Sequence, residues 1–211
     1  MKKILLIFIS ALLFTPLSAQ NIELSGLYGF QFGNTIDYYG GYVKLKDGPN
    51  FGASLGYNTG SDVIIQLSYN RNSTDVRLRD IAFAPNEVKI ATANLDWISI
   101  GGLRTVGQDN VYGFAGLGLG MLISTPTDEN LDILDRNLSS NTKMFFDIKL
   151  GGTAMLNETI GLRAQALMQF PIDWAGAYFG FGTGGPSTGV SLNSTVLIFS
   201  LQGGIVLVIP Q

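Results

Sequence analysis

The stretch "IGLRAQALMQF", Ile160–Phe170, decides the fold. Ile160, Leu162, Ala164, Ala166, Met168 and Phe170 share one parity, and Gly161, Arg163, Gln165, Leu167 and Gln169 share the other. A period of two belongs to a β-strand, whose successive side chains point to opposite faces. One face is wholly apolar, while the other carries an arginine and two glutamines. A tilted strand of this length crosses a bilayer.

The pattern recurs along the chain. In "IELSGLYGFQF", Ile22, Leu24, Tyr28, Phe30 and Phe32 oppose Glu23, Ser25, Leu27, Gly29 and Gln31. In "NFGASLGYN", Phe51, Ala53, Leu55 and Tyr57 oppose Gly52, Ser54, Gly56 and Asn58; in "VIIQLSYN", Val63, Ile65, Leu67 and Tyr69 oppose Ile64, Gln66, Ser68 and Asn70. "MFFDIKLGGTAML" sets Met144, Phe146, Ile148, Leu150, Ala154 and Leu156 against Phe145, Asp147, Lys149, Gly151 and Thr153. A last strand is expected from about Thr195 to Ile209. Another, Val88–Arg104, is less regular: Leu95 and Trp97 lie on one parity, Ile98 and Ile100 on the other. A β-bulge near Ile98 would reconcile them, since one extra residue reverses the facing; otherwise both faces are apolar.

"YGFAGLGLGML", Tyr112–Leu122, completes a set of eight. Its Gly116-x-Gly118-x-Gly120 spacing is not the G-x-G-x-x-G of a dinucleotide loop, and the apolar strand simply continues through Met121 and Leu122. Gly116, Gly118 and Gly120 are therefore expected on the inner face, with Phe114 and Leu122. There they leave room for bulky neighbours or let the strand bend.

Connections alternate in length. Long ones run from about Asn34 to Asn50, Asn72 to Glu87, Ser124 to Asn141 and Pro171 to Asn193; short ones lie at Asn58–Asp62, Val106–Asn110 and Asn157–Thr159. All long loops then sit at one end and both termini at the other, the layout of a membrane barrel with long external loops. Charges sort with the faces as well: Glu23, Asp147, Lys149 and Arg163 all fall on the polar parity. A soluble sandwich or carrier would place charges outside and aliphatics inside. Tyr57 and Tyr112 near the short-turn end, with Phe32, Tyr69 and Phe170 near the other, are expected to form two aromatic belts.

The N-terminus "MKKILLIFISALLFTPLSAQ" has Lys2 and Lys3, an apolar run from Ile4 to Phe14, and small residues at Ser18 and Ala19. This is the order of a secretory signal peptide. Cleavage after Ala19 is expected, leaving residues 20–211 as one barrel domain and shifting the net charge from −3 to −5. Such an acidic chain is a poor nucleic-acid binder.

These strands and segments such as "YGFAGLGLGM", "FFDIKLGGTAML" and "FSLQGGIVLVI" resemble small bacterial outer-membrane β-barrel proteins, the OmpA-like, OmpX-like and PorT-like superfamily. The resemblance covers nearly all of residues 20–211. It implies an all-β, eight-stranded antiparallel up-and-down transmembrane β-barrel in the bacterial outer membrane. It also implies contact with outer-membrane lipid and insertion by the barrel-assembly machinery. Many such barrels finish on an aromatic residue, whereas this chain ends "VLVIPQ".

Composition narrows the chemistry. The chain has neither cysteine nor histidine, which removes thiolate nucleophiles, the commonest general base and the commonest zinc ligands. No catalytic, cofactor or metal site is expected. Glu23, Asp147, Lys149 and Arg163 are expected in the lumen, either as a salt-bridged plug or as a polar conduit. "TPTDENLDILDRNL" carries Asp128, Glu129, Asp132 and Asp135, and the spacing of Leu131, Leu134 and Leu138 suggests a short helix after Thr125. The aromatic, glycine-rich "DWAGAYFGFGTGG" packs over the mouth or meets a protein partner. The expected role is structural or interactive, through long extracellular loops. The alternatives are a small channel for ions or small solutes and a soluble periplasmic barrel binding an apolar ligand.

Overall fold

A computed structural model describes residues 21–60, 62–82, 84–108, 110–134, 138–172, 177–182, 185–190 and 197–209. The signal-peptide segment and the last two residues lie outside them, as does part of "DWAGAYFGFGTGG". Among the described residues there are twelve strands: β1 Ile22–Phe32, β2 Asn34–Tyr38, β3 Gly41–Leu45, β4 Gly48–Asn58, β5 Val63–Asp80, β6 Ala84–Gln108, β7 Val111–Thr127, β8 Asn141–Met155, β9 Ile160–Ile172, β10 Ala177–Gly182, β11 Gly185–Val190 and β12 Ile198–Ile209.

Eight of these close a ring in the order β1-β4-β5-β6-β7-β8-β9-β12, with every neighbour antiparallel and β12 returning to β1. The expected eight-stranded up-and-down barrel is the observed fold. Following paired residues around it from Ile198 leads through Gln169, Asp147, Gly118, Gly101, Gln66, Gly56 and Glu23 to Val208, ten residues further along β12. Eight strands with a stagger of ten residues require a strand tilt of about 40°. The interior of such a barrel is just wide enough for side chains to fill.

Burial follows the parity read from the sequence. Leu24, Tyr28 and Phe30 of β1 are exposed outward, while Glu23, Ser25, Leu27 and Gln31 are buried. On β7, Leu117, Leu119 and Met121 are exposed and Phe114 and Leu122 buried. Apolar side chains cover the outside, and Asn50, Gln66, Gln169 and Ser200 are among the most enclosed residues.

Four sequence expectations need correction. Alternation runs unbroken through Ile98, with Trp97 buried and Ile98 exposed, so that strand has apolar residues on both faces. Register shifts occur instead near Ile90, between the pairs Val76–Ala91 and Arg77–Lys89, and again between Leu78–Val88 and Asp80–Ala84. Two supposed long loops are largely strand: β5 and β6 continue to a tight turn after Asp80, and the β2–β3 hairpin fills much of 34–50 and pairs with β5. Polar and charged residues there hid strands that still alternate, with Thr74, Leu78 and Asp80 buried on one side. Finally, no helix forms over 125–134. The strand β7 runs through Thr127, and one turn follows, in which Ile133 and Leu134 donate to the Asn130 carbonyl. The buried Leu134 is held by that turn.

Candidate functional site

The lumen is filled in layers. Toward the long-loop end, Ala93, Leu95, Trp97, Leu122, Phe145 and Ile198 form an apolar cluster. Trp97 and Phe145 meet edge to face at 4.8 Å between ring centroids, and the Trp97 indole N–H donates to Asn72 Oδ1 at 3.2 Å. Ile64, Leu103 and Phe114 make a second cluster toward the short-turn end.

Polar side chains from facing strands meet between and beside these clusters. Lys149 Nζ donates to Ser68 Oγ at 2.6 Å and Gln66 Oε1 at 3.0 Å, and Gln66 Nε2 donates to Ser54 Oγ at 3.0 Å. Gln165 Nε2 donates to Gln202 Oε1 at 2.7 Å, while Gln202 Nε2 reaches Asn50 and Asn70. Each bond joins different strands, so the set braces the wall from inside.

The four charges singled out in the sequence fall into two pairs. Glu23 and Arg163 join at 2.6 Å, with side chains at most 5 % exposed. Arg163 also donates to Ser25, Thr153 and Tyr112, and its guanidinium lies 5.0 Å from the centre of the Phe114 ring. Asp147 and Lys149 lie two residues apart on β8, 3.9 Å between charged atoms. Among the described residues no salt bridge links the two pairs. Arg163 donates to Ser25, Lys149 to Gln66 and Gln66 to Ser54, and Ser25 and Ser54 are cross-strand neighbours.

The three glycines face inward, and their neighbours stand on the flanking strands. A Cβ on Gly118 would lie 2.6 Å from Asp147 Oδ1, so glycine there admits the carboxylate. On Gly116 it would meet Leu103, and on Gly120 the backbone of Ile98 and Ser99. Sequence reading missed Tyr112. Placed there in a belt, it instead points into the lumen and donates to Glu23 Oε1 at 3.1 Å. Its parity with Phe114 was the available signal. Glu23 and Tyr112 help line a cavity of about 1030 Å³ open at the short-turn end, with Asn58, Thr105 and Glu158 at its rim.

At the opposite end β2, β3, β5 and β6 rise as a wall. Arg77 contacts Glu87 at 3.2 Å and Asp75 at 3.7 Å; Lys89 contacts Asp75 at 3.0 Å. The Lys89 hydrogen bond holds the Asp75 carboxyl below its usual range, and the Tyr42 hydroxyl does the same for Glu87. Tyr38 donates to Asp80 at 2.7 Å, and burial followed by that carboxylate raises its own pKa.

A closed antiparallel barrel, polar within and apolar without, defines the class of outer-membrane β-barrels. The chain belongs to the outer membrane protein beta-barrel domain family, whose sequence model matches residues 6–168. Among curated protein sequences none matches it significantly. Its fold is similar to that of the outer membrane protein OprG from Pseudomonas aeruginosa, at TM-score 0.68 and 11% identity over 90% of this chain and 96% of that one. Neisserial surface protein A matches at TM-score 0.54 and 13% identity over 89% and 96%. The N-terminal barrel of Pseudomonas aeruginosa OprF matches at 0.52 and 14% over 91% and 100%. These likenesses concern the fold. The chain is an outer-membrane β-barrel protein of bacteria.

Proposed function

We propose that this barrel is a non-conducting surface protein, held in lipid by its outer face and acting through its extracellular parts. The packed lumen carries the reading. The apolar cluster around Trp97 and Phe145 spans β6, β7, β8 and β12, and hydrogen-bonded side chains tie opposite walls beneath it. An ion would have to break those contacts, and buried charges that lose a partner are costly. The Glu23–Arg163 pair therefore acts as a plug.

A structural role also fits Lys149 and Ser68. A lysine beside a serine can serve acyl transfer, yet both side chains are buried among Gln66, Asp147 and the barrel wall. The same enclosure speaks against an apolar-ligand carrier, whose cavity would be lined by aliphatics. Refolded protein in planar bilayers is expected to show no discrete conductance steps. Steady single-channel currents from the wild type would overturn this reading in favour of the channel.

A further inference from the structure

One band of the lumen leaves its polar atoms unmatched. Among the described residues, and apart from Arg77 Nε in the raised wall, the buried side-chain atoms without a hydrogen-bond partner all belong to Gln31, Asn72, Ser99, Asp147 and Gln169. They are both oxygens of Asp147, both polar atoms of Gln169, Gln31 Oε1, Ser99 Oγ and Asn72 Nδ2. All five residues face inward and are buried.

Register makes them neighbours. A stagger of ten residues over eight strands slants each paired row by about 1.25 residues per strand. Allowing for that slant, the five residues fall within about three residues of one another in height, a band about 7 Å deep. Ser99 and Asp147 are the next inward residues below Trp97 and Phe145, so the band underlies the apolar cluster. Asp147 and Gln169 are direct cross-strand partners. Gly118 pairs with Asp147 and Gly120 with Ser99, so no β7 side chain separates the carboxylate from the hydroxyl.

The chemistry of the band is that of a ligand set. A buried carboxylate that accepts no hydrogen bond is costly. Lys149 compensates Asp147 only in part, lying 3.9 Å away and giving its hydrogens to Ser68 and Gln66. Glu23 is served far better, by Arg163 at 2.6 Å and Tyr112 at 3.1 Å. Most of the unmatched atoms are oxygens, and oxygen sets suit hard cations. One carboxylate facing a lysine, with neutral oxygens around it, suits a single positive charge. Divalent sites draw on several carboxylates, and among the described residues no three acidic side chains gather.

We propose that the lumen binds one small monovalent cation, of sodium or potassium size, between Asp147, Gln169, Gln31 and Ser99. The ion enters as the barrel closes and braces β1, β6, β8 and β9 from within. It is a structural ion, and its binding does not depend on the surface role proposed above. Water is the competing occupant, and it would serve the same atoms whichever salt is present.

The test refolds the full-length protein from urea into detergent micelles in sodium, potassium or N-methylglucamine chloride at equal ionic strength. At a fixed urea concentration, the folded fraction on a gel should rise as sodium or potassium replaces N-methylglucamine. Above half-saturation the folded-to-unfolded ratio should grow about tenfold for each tenfold of ion, the mark of one site. Asp147→Asn should be indifferent to the salt. Should that variant fail to fold, Ser99→Ala should need about tenfold more ion for the same gain. Identical wild-type refolding in all three salts would leave water as the occupant and overturn the proposal. So would a wild-type response from Asp147→Asn or an unchanged ion requirement in Ser99→Ala, since the ion would then sit elsewhere. Conductance is scored separately in planar bilayers, so the two readings fail independently.

Discussion

Arg163 is the most heavily partnered charge in the lumen, and it shows how one side chain can hold several strands. From β9 it reaches Glu23 and Ser25 on β1, Thr153 on β8 and Tyr112 on β7. Arg163→Leu leaves Glu23 buried without its cation, at a cost of about 3–5 kcal/mol. The heat-resistant fraction on a gel should drop sharply, while Glu23→Leu combined with Arg163→Leu should recover most of it. If the single and double variants proved equally stable, the pair would not be a coupled plug. Glycines permit a cleaner comparison. A Cβ on inward Gly120 would strike the Ile98 carbonyl, whereas outward Gly102 has nothing within 4 Å. Gly120→Ala should cost about 1–3 kcal/mol in urea unfolding, and Gly102→Ala should stay within about 0.5 kcal/mol. Parity alone placed Gly120 on the inner face. What it could not supply is the neighbour: that Gly118 admits Asp147 depends on register between β7 and β8.

Among the elements, the membrane-spanning strands were legible because two different surroundings impose a period of two. The extensions of β5 and β6 at the long-loop end were not: Leu78, Ile90 and Ala91 are buried on their inner side, but Thr74 and Asp80 are buried there too and interrupt the apolar run. Charged residues such as Asp75, Arg77, Glu87 and Lys89 then read as loop. The bulge near Ile90 was invisible for the same reason, lying where polar residues interrupt the apolar alternation. These extensions are tied by ion pairs, and Asp75 and Glu87 both titrate below their ordinary range. A depressed carboxylate pKa contributes stability above the unfolded value, which is lost as pH falls through the folded one. The turn at Ile81 and Ala82 is exposed. An acid-active protease should therefore cut there faster below about pH 4, while the barrel stays intact on a gel. Cleavage that did not vary with pH would show that these pairs do not hold the wall.

At the scale of the whole molecule, the inversion of polarity decides more than any single residue. Burial gathers asparagine, glutamine, serine and two ion pairs inside, while leucine, isoleucine and aromatics remain exposed. In water, an apolar patch of that extent would bind another surface or aggregate. The sequence announced this inversion through the sorting of four charges. It could not announce which of them would meet, because Glu23 and Arg163 are 140 residues apart. Likewise Trp97 and Phe145, on β6 and β8, come together only because the sheet curves over β7. The outside is thus written locally and the inside globally.

The seam between β1 and β12 has a consequence for the order of events in the cell. Ile22 pairs with Ile209 and Phe32 with Phe199, so the earliest barrel segment finds one of its two neighbours only in the latest. Every other strand of the barrel is made before that partner exists. Until then β1 presents bare amides and carbonyls that hydrocarbon does not tolerate. Strand-by-strand insertion would leave an open edge in the bilayer at every stage but the last. Closing the sheet and entering the bilayer are therefore expected to be one event, with both ends of the barrel in hand.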